Sequence, residues 1–135
     1  MGETFPRPLS DHERSLLEFL LAEDFPGADE LRAQARAVRV KGLWERRPSV
    51  VLLDVTNRDA PRANVVHTLP VEARVRDAEP PRELLLFVKD GLLESLEVVD
   101  YDSSNQSGLP AVHELEGPVA NSTQVKSRQP RSLSD

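Results

Sequence analysis

The chain has 135 residues, a formal net charge of −6 at pH 7 and no cysteine. Its length is that of one compact domain, and its negative charge argues against generic nucleic-acid binding, which needs a cationic surface to neutralise phosphates. The lack of cysteine excludes disulfides, thiolate nucleophiles and cysteine-ligated zinc. Because no apolar run is long enough to span a membrane and the N-terminus lacks the features of a secretory signal, we expect a cytoplasmic protein with no membrane association.

The first structural signals along the sequence are those of a helix. Ser10-Asp11-His12-Glu13 is a capping box, in which the side chains of Ser10 and Glu13 each satisfy the other's backbone amide. The leucines that follow recur at helical spacing and predict a helix over residues 10–22 with one apolar face. Pro26 and Gly27 end this pattern. A second, shorter helix is predicted from about Ala28.

The period then changes to that of extended chain. Short apolar or alternating runs predict strands, which lie at residues 38–41, 49–55, 71–76, 83–89 and 92–99. The run 49–55 is too apolar for a sheet edge. We therefore expect it to lie inside the sheet.

The clearest local signal is the hairpin around Asp90-Gly91, a dipeptide that accepts the positive φ angles of a two-residue type I′ turn. A regular hairpin pairs Lys89 with Leu92, Val88 with Leu93, Phe87 with Glu94, Leu86 with Ser95 and Leu85 with Leu96. The first strand is apolar on both faces and should be central. Glu94 and Glu97 in its partner indicate a position nearer an edge, or a bulge that redirects one of them.

These elements predict an α+β fold in which two N-terminal helices pack on one face of a mainly antiparallel sheet of four or five strands. Residues 1–9 form an N-terminal arm and residues 10–116 the single domain. Residues 117–135 contain proline, serine and few large apolar groups. Such a segment buries too little surface to offset its backbone entropy, so we predict a disordered tail.

Charge is distributed in two opposite blocks. From Arg32 to Arg47 six basic residues face one acidic residue, a balance of +5, whereas from Glu83 to Glu116 eight acidic residues face one lysine, a balance of −7. The blocks either attract each other within the fold or present two faces to different partners. We favour the first interpretation, because neighbouring strands and helices commonly pair opposite charges.

The order of several short segments is similar to that of a family of small uncharacterised bacterial proteins common in actinomycetes. The segments are Phe25-Pro26-Gly27, Leu31-Arg32-Ala33-Gln34, Pro70-Val71-Glu72-Ala73, Asp90-Gly91-Leu92-Leu93-Glu94-Ser95-Leu96-Glu97 and Leu109-Pro110. The resemblance spans about residues 12–116 and implies two helices followed by strands, with no assigned activity. Some relatives carry a cysteine-rich turn before the second strand. Residues 41–48 contain no cysteine, so no metal or thiol role transfers to this chain.

No constellation for catalysis is apparent. The histidines lack the spacing of a zinc site, no serine lies in a nucleophile elbow, and the six glycines are too far apart for a phosphate-binding loop. Glu94, Glu97, Asp100 and Asp102 crowd the hairpin and its exit. A solvated acidic strand face explains them better than an acid/base pair. The sequence therefore predicts no catalytic, cofactor-binding or metal-ligating residue and favours a protein that is not an enzyme.

Trp44 is the strongest functional candidate, because it lies beside Arg46 and Arg47 in a predicted loop, and tryptophan and arginine are enriched at interfaces. The other interpretation has the ring covering one end of the core while the arginines keep the loop soluble. We predict a small acidic interaction module that uses these three residues to bind an as yet unidentified protein. The alternative is a ligand-binding or hydrolytic domain whose site is assembled from Asp100, Tyr101, Asp102 and His113.

Overall fold

The computed structural model describes residues 4–44, 49–56, 59–65, 68–78, 80–100 and 108–121. Its helices are α1 (Asp11–Leu21) and α2 (Ala28–Ala35), with a short 3₁₀ helix at Val112–Glu114. Its strands are β1 (Arg7–Pro8), β2 (Val38–Leu43), β3 (Val50–Val55), β4 (Val71–Val75), β5 (Arg82–Lys89), β6 (Leu92–Asp100) and β7 (Leu115–Ala120). Within these residues no helix is long and apolar enough to cross a membrane.

The capping box that starts α1 is confirmed. The Glu13 amide donates to Ser10 Oγ at 3.1 Å, and the Ser10 amide donates to Glu13 Oε1 at 2.8 Å. Arg7 binds both oxygens of the same carboxylate, at 2.8 and 2.9 Å, and so ties β1 to the helix. Burial alone would raise the pKa of Glu13, but the hydrogen bonds from Arg7 and Ser10 and the charge of Arg7 hold it below the ordinary value of 4.5.

The strands form one antiparallel sheet in the order β1-β2-β3-β6-β5-β4-β7. The α+β prediction with two N-terminal helices is confirmed, but the prediction of four or five strands is wrong, because the sheet has seven. The additional strands are the two at its edges. β1 lies within the predicted N-terminal arm, and β7 pairs with β4 as far as Ala120, past the boundary predicted at residue 116. Residues 122–135 of the predicted tail lie outside the described residues.

The hairpin forms at Asp90-Gly91, but its predicted register holds only for the two pairs beside the turn. A bulge at Glu94 then shifts the pairing by one residue, so Phe87 lies opposite Ser95 and Leu86 opposite Leu96. The physical reason is burial. Leu93 and Leu96 are three residues apart, and a regular strand would place them on opposite faces, whereas the bulge buries both in the same core.

The two faces of the sheet differ. Cross-strand pairing sets Val51, Leu96, Leu86 and Val71 in one row, and all four are buried in the core with the leucines of α1 and with Leu31 of α2. The adjacent row lies on the other face and consists of Val50, Glu97, Leu85 and Glu72. The next row on that same face holds Leu52, Ser95 and Phe87. We call this second face, defined by these seven residues, the open face.

Candidate functional site

Trp44 follows β2 on the open face and is 49% exposed. A bulge at Lys41 accounts for this position. Val40 pairs with Leu53 of the core, but the next paired residue is Gly42, opposite Leu52 of the open face. Regular alternation from Val40 would direct residue 44 to the core face, so the bulge reverses the direction of the indole.

A concavity of about 830 Å³ lies beside the indole on the open face. Its apolar lining includes Val50, Leu52 and Phe87, all of which are partly exposed. We call the space between these three side chains and Trp44 the groove. An indole over an apolar floor is the composition of a binding hot spot.

The polar lining of the groove is mainly acidic. It includes Glu94, the residue added by the bulge in β6, and Glu97, against Lys89 at the turn end of β5. Ser95 is 2% exposed and its hydroxyl donates to Glu97 Oε2 at 2.7 Å, which fixes that carboxylate on the open face. The groove therefore suits an apolar group that is flanked by positive charge.

The open face carries a further acidic residue beyond the groove. Glu72 lies in the same row as Glu97, two strands further along, with Leu85 of β5 between them. Burial raises the pKa of the Glu72 carboxyl, and the negative charge of Glu83 raises it further, while a hydrogen bond from Asn121 opposes both effects. Because burial is the largest cause of this shift, the negative potential of the surface is indicated by Glu94 and Glu97 in the lining of the groove.

A second concavity, of about 360 Å³, lies between α1 and α2 and is lined in part by arginines. Two of these arginines have structural partners: Arg14 Nη1 donates to the Ala35 carbonyl at 3.0 Å, and Arg32 Nε donates to the Leu21 carbonyl at 2.6 Å. Each thus binds a carbonyl at the C-terminal end of a helix. This concavity is a weaker functional candidate than the groove.

Two ion pairs of the described residues each involve only one of the two charge blocks. Arg32 pairs with Asp29 in its own helix at 2.6 Å, and Arg76 pairs with Glu116 across β4 and β7 at 3.6 Å. Attraction between the blocks therefore stays a prediction. The acidic block instead supplies the groove with Glu94 and Glu97.

The structure describes only some of the predicted site residues. Trp44 lies at the groove, whereas Arg46 and Arg47 lie outside the described residues. So do Tyr101, Asp102 and the side chain of Asp100, three of the four residues of the alternative site. The fourth, His113, is exposed on the 3₁₀ helix. Within the part of the chain that is described, no three acidic or histidine side chains converge to hold a metal ion.

Sequence reasoning missed Val50, Leu52 and Phe87 as groove residues. The available signal was the apolar character of β3 and β5 on both faces. Two helices as short as α1 and α2 cannot cover both faces of a wide sheet, so one apolar row had to lie away from them. Which row this would be depends on the register and the bulges.

No family profile matches the chain, and searches of curated proteins and of solved structures found no match either. The resemblance to the actinomycete family thus stays a prediction.

Proposed function

We propose that this protein is a non-enzymatic interaction module whose groove binds an extended segment of a partner protein. The segment carries an apolar side chain between lysine or arginine residues. The observation that carries the proposal is the half-exposed indole of Trp44 beside an apolar floor, on a sheet face that the helices leave open.

The exposure of Trp44 supports a binding function for this surface. Trp44 and Val119 are the exposed large hydrophobic residues of the described chain, at 49% and 47%. A tryptophan at the centre of an interface typically contributes about 2 kcal/mol or more. An isolated exposed valine, by contrast, needs no functional explanation.

The negative charge of the surface around the groove indicates the chemistry of the partner. Glu94 and Glu97 line the groove, and Glu72 extends the acidic surface. A basic segment is attracted to this surface, whereas a nucleic acid or a second copy of the same acidic face is repelled. The proposal thus favours protein over nucleic acid as the partner.

The test uses two synthetic extended peptides, one with a leucine flanked by arginines and one with glutamates in place of the arginines. Fluorescence anisotropy of the labelled peptides measures their affinity for the full chain. We expect binding of the arginine peptide alone. Trp44→Ala should weaken this binding about thirtyfold or more, because a hot-spot truncation costs at least about 2 kcal/mol.

Two variants control for the fold and for location. Val119→Ala removes an equally exposed apolar side chain outside the groove and should leave the affinity unchanged. Gly42→Gln should block binding with the fold intact, because Gly42 lies opposite Leu52 and a Cβ there meets no atom within 4 Å. Equal binding of both peptides, or an equal loss with Val119→Ala, would refute the proposal.

A further inference from the structure

The described chain ends beside the groove. The Asn121 amide donates to the Pro70 carbonyl at 2.8 Å, and its side-chain Nδ2 donates to the Leu69 carbonyl at 3.1 Å. Thr68, which directly precedes Leu69 in the sequence, lines the groove, and its carbonyl accepts a hydrogen bond from the Val88 amide at 2.7 Å. Whatever follows Asn121 therefore starts next to this surface.

We propose that residues 122–135, the C-terminal segment, occupy the groove of their own chain. The inference deepens the proposed function, since it names an occupant for the same groove. In the full chain a partner would then compete with this segment.

The segment is long enough. It has 14 residues (135 − 121), and extended chain spans roughly 3.3 Å per residue, or about 46 Å in all. From β4, beside which Asn121 is bonded, to β2, which Trp44 follows, there are four strand spacings of roughly 4.8 Å, or about 19 Å. The segment can therefore cross the open face and reach Trp44 with residues to spare.

The composition of the segment matches the groove. Lys126, Arg128 and Arg131 stand against Asp135 alone, a balance of +2 in a chain whose net charge is −6. Val125 directly precedes Lys126, and Arg128 follows two residues after that lysine. An apolar side chain with positive charge on one side is compatible with the groove formed by Trp44, Glu94 and Glu97.

If the segment occupies the groove, it competes there with any partner peptide, and its covalent attachment to the same chain strengthens this competition. A short flexible connection gives an effective concentration of about 1 mM. If the segment binds with a Kd of about 1 mM, it halves the apparent affinity for any competing peptide. Tighter binding of the segment would suppress partner binding in proportion.

Trp44 is the only tryptophan of the protein, so its fluorescence reports on the groove directly. We would compare the wild-type chain with a variant in which residues 122–135 are replaced by glycine and serine at the same length. The replacement should shift the emission of Trp44 to the red and increase its quenching by acrylamide. A synthetic peptide of residues 122–135 added to this variant should reverse both changes.

Charge reversal gives the sharper control. Lys126→Glu with Arg128→Glu should reproduce the effect of the replacement, and Glu94→Lys in the same chain should restore part of the protection. If Trp44 emission and quenching are unchanged by every one of these substitutions, the inference is wrong. Concentration-dependent protection of Trp44 would assign the groove to a second copy and would also refute it.

The two proposals fail separately. If the arginine peptide binds but the glycine–serine variant behaves as wild type, the proposed function stands and the intramolecular occupant is excluded. If the segment protects Trp44 but no foreign peptide binds even after its replacement, the groove is an internal contact, and the proposed function is refuted.

Discussion

Gln34 is the polar residue on which the fold should depend most. It is fully buried on α2, and its Nε2 donates to the carbonyls of Pro61 and Gly91 at 2.8 and 2.7 Å. Its Oε1 accepts from the Leu93 amide at 2.9 Å. Because β3 pairs with β6 only over Val50–Leu52, Leu93 lies beyond that pairing, and Gln34 supplies the bond that a neighbouring strand would otherwise make.

Gln34→Leu keeps the approximate volume and removes all three hydrogen bonds. The buried Leu93 amide then has lost its acceptor, which costs about 1–3 kcal/mol. The lost bonds to Pro61 and Gly91 cost less, about 0.5–1.5 kcal/mol each, because Pro61 is exposed and Gly91 still accepts from the Ala63 amide at 2.9 Å. Burial of the added apolar group offsets part of this cost, so we expect the free energy of unfolding to fall by about 3 kcal/mol in total.

Urea unfolding followed by far-UV circular dichroism measures this loss, and the slope with denaturant should be unchanged. At roughly 4 °C per kcal/mol for a domain of this size, the Tm should fall by about 12 °C. Arg36→Leu is the matched control, since it adds a leucine to an exposed position at the end of the same helix. It should change stability by less than about 0.5 kcal/mol. A loss below about 1 kcal/mol for Gln34→Leu would show that water or rearrangement satisfies these groups and would refute the reasoning.

Three further predictions use the same urea assay. Gly91→Ala should destabilise by more than about 1 kcal/mol, because φ is +78° and a Cβ would lie 2.8 Å from a backbone oxygen, whereas Gly42→Ala should be neutral or stabilising. Glu13 has a lowered pKa, so its stabilising contribution is complete above 4.5 and is lost as the pH falls through the folded value; Glu13→Gln should destabilise at pH 7 and barely at pH 2. Glu72 has a raised pKa, so its ionised form costs stability above the folded value; Glu72→Gln should stabilise at pH 7, with a difference that closes as the pH falls toward 4. The opposite sign for either glutamate would contradict its assigned environment.

Local signals carried most of what the sequence could predict. The capping box of α1 needs only Ser10 and Glu13, three residues apart, and both of its bonds form. The turn at Asp90-Gly91 needs only positive φ angles, which are 54° and 78°. Each signal depends only on residues that are close in sequence, so long-range packing has little influence on whether the predicted structure forms.

The edge strands could not be predicted in this way. β1 has only two residues, and β7 contains Gly117 and Pro118, which individually argue against a strand. β7 forms because β4, some forty residues earlier, offers it an unpaired edge, and proline is tolerated at such an edge. The information lies in a long-range pairing and not in the segment itself.

The groove depends on the same kind of information. Two bulges, at Lys41 and Glu94, break the period-two alternation on which strand prediction relies. The first turns Trp44 away from the core face, and the second allows Leu93 and Leu96 to share the core while Ser95 and Glu97 lie on the open face. A regular sheet of the same composition would bury different residues and present different ones. The sequence thus suggested Trp44 as a binding residue by composition alone, whereas its partners in the groove follow from where each strand gains its extra residue.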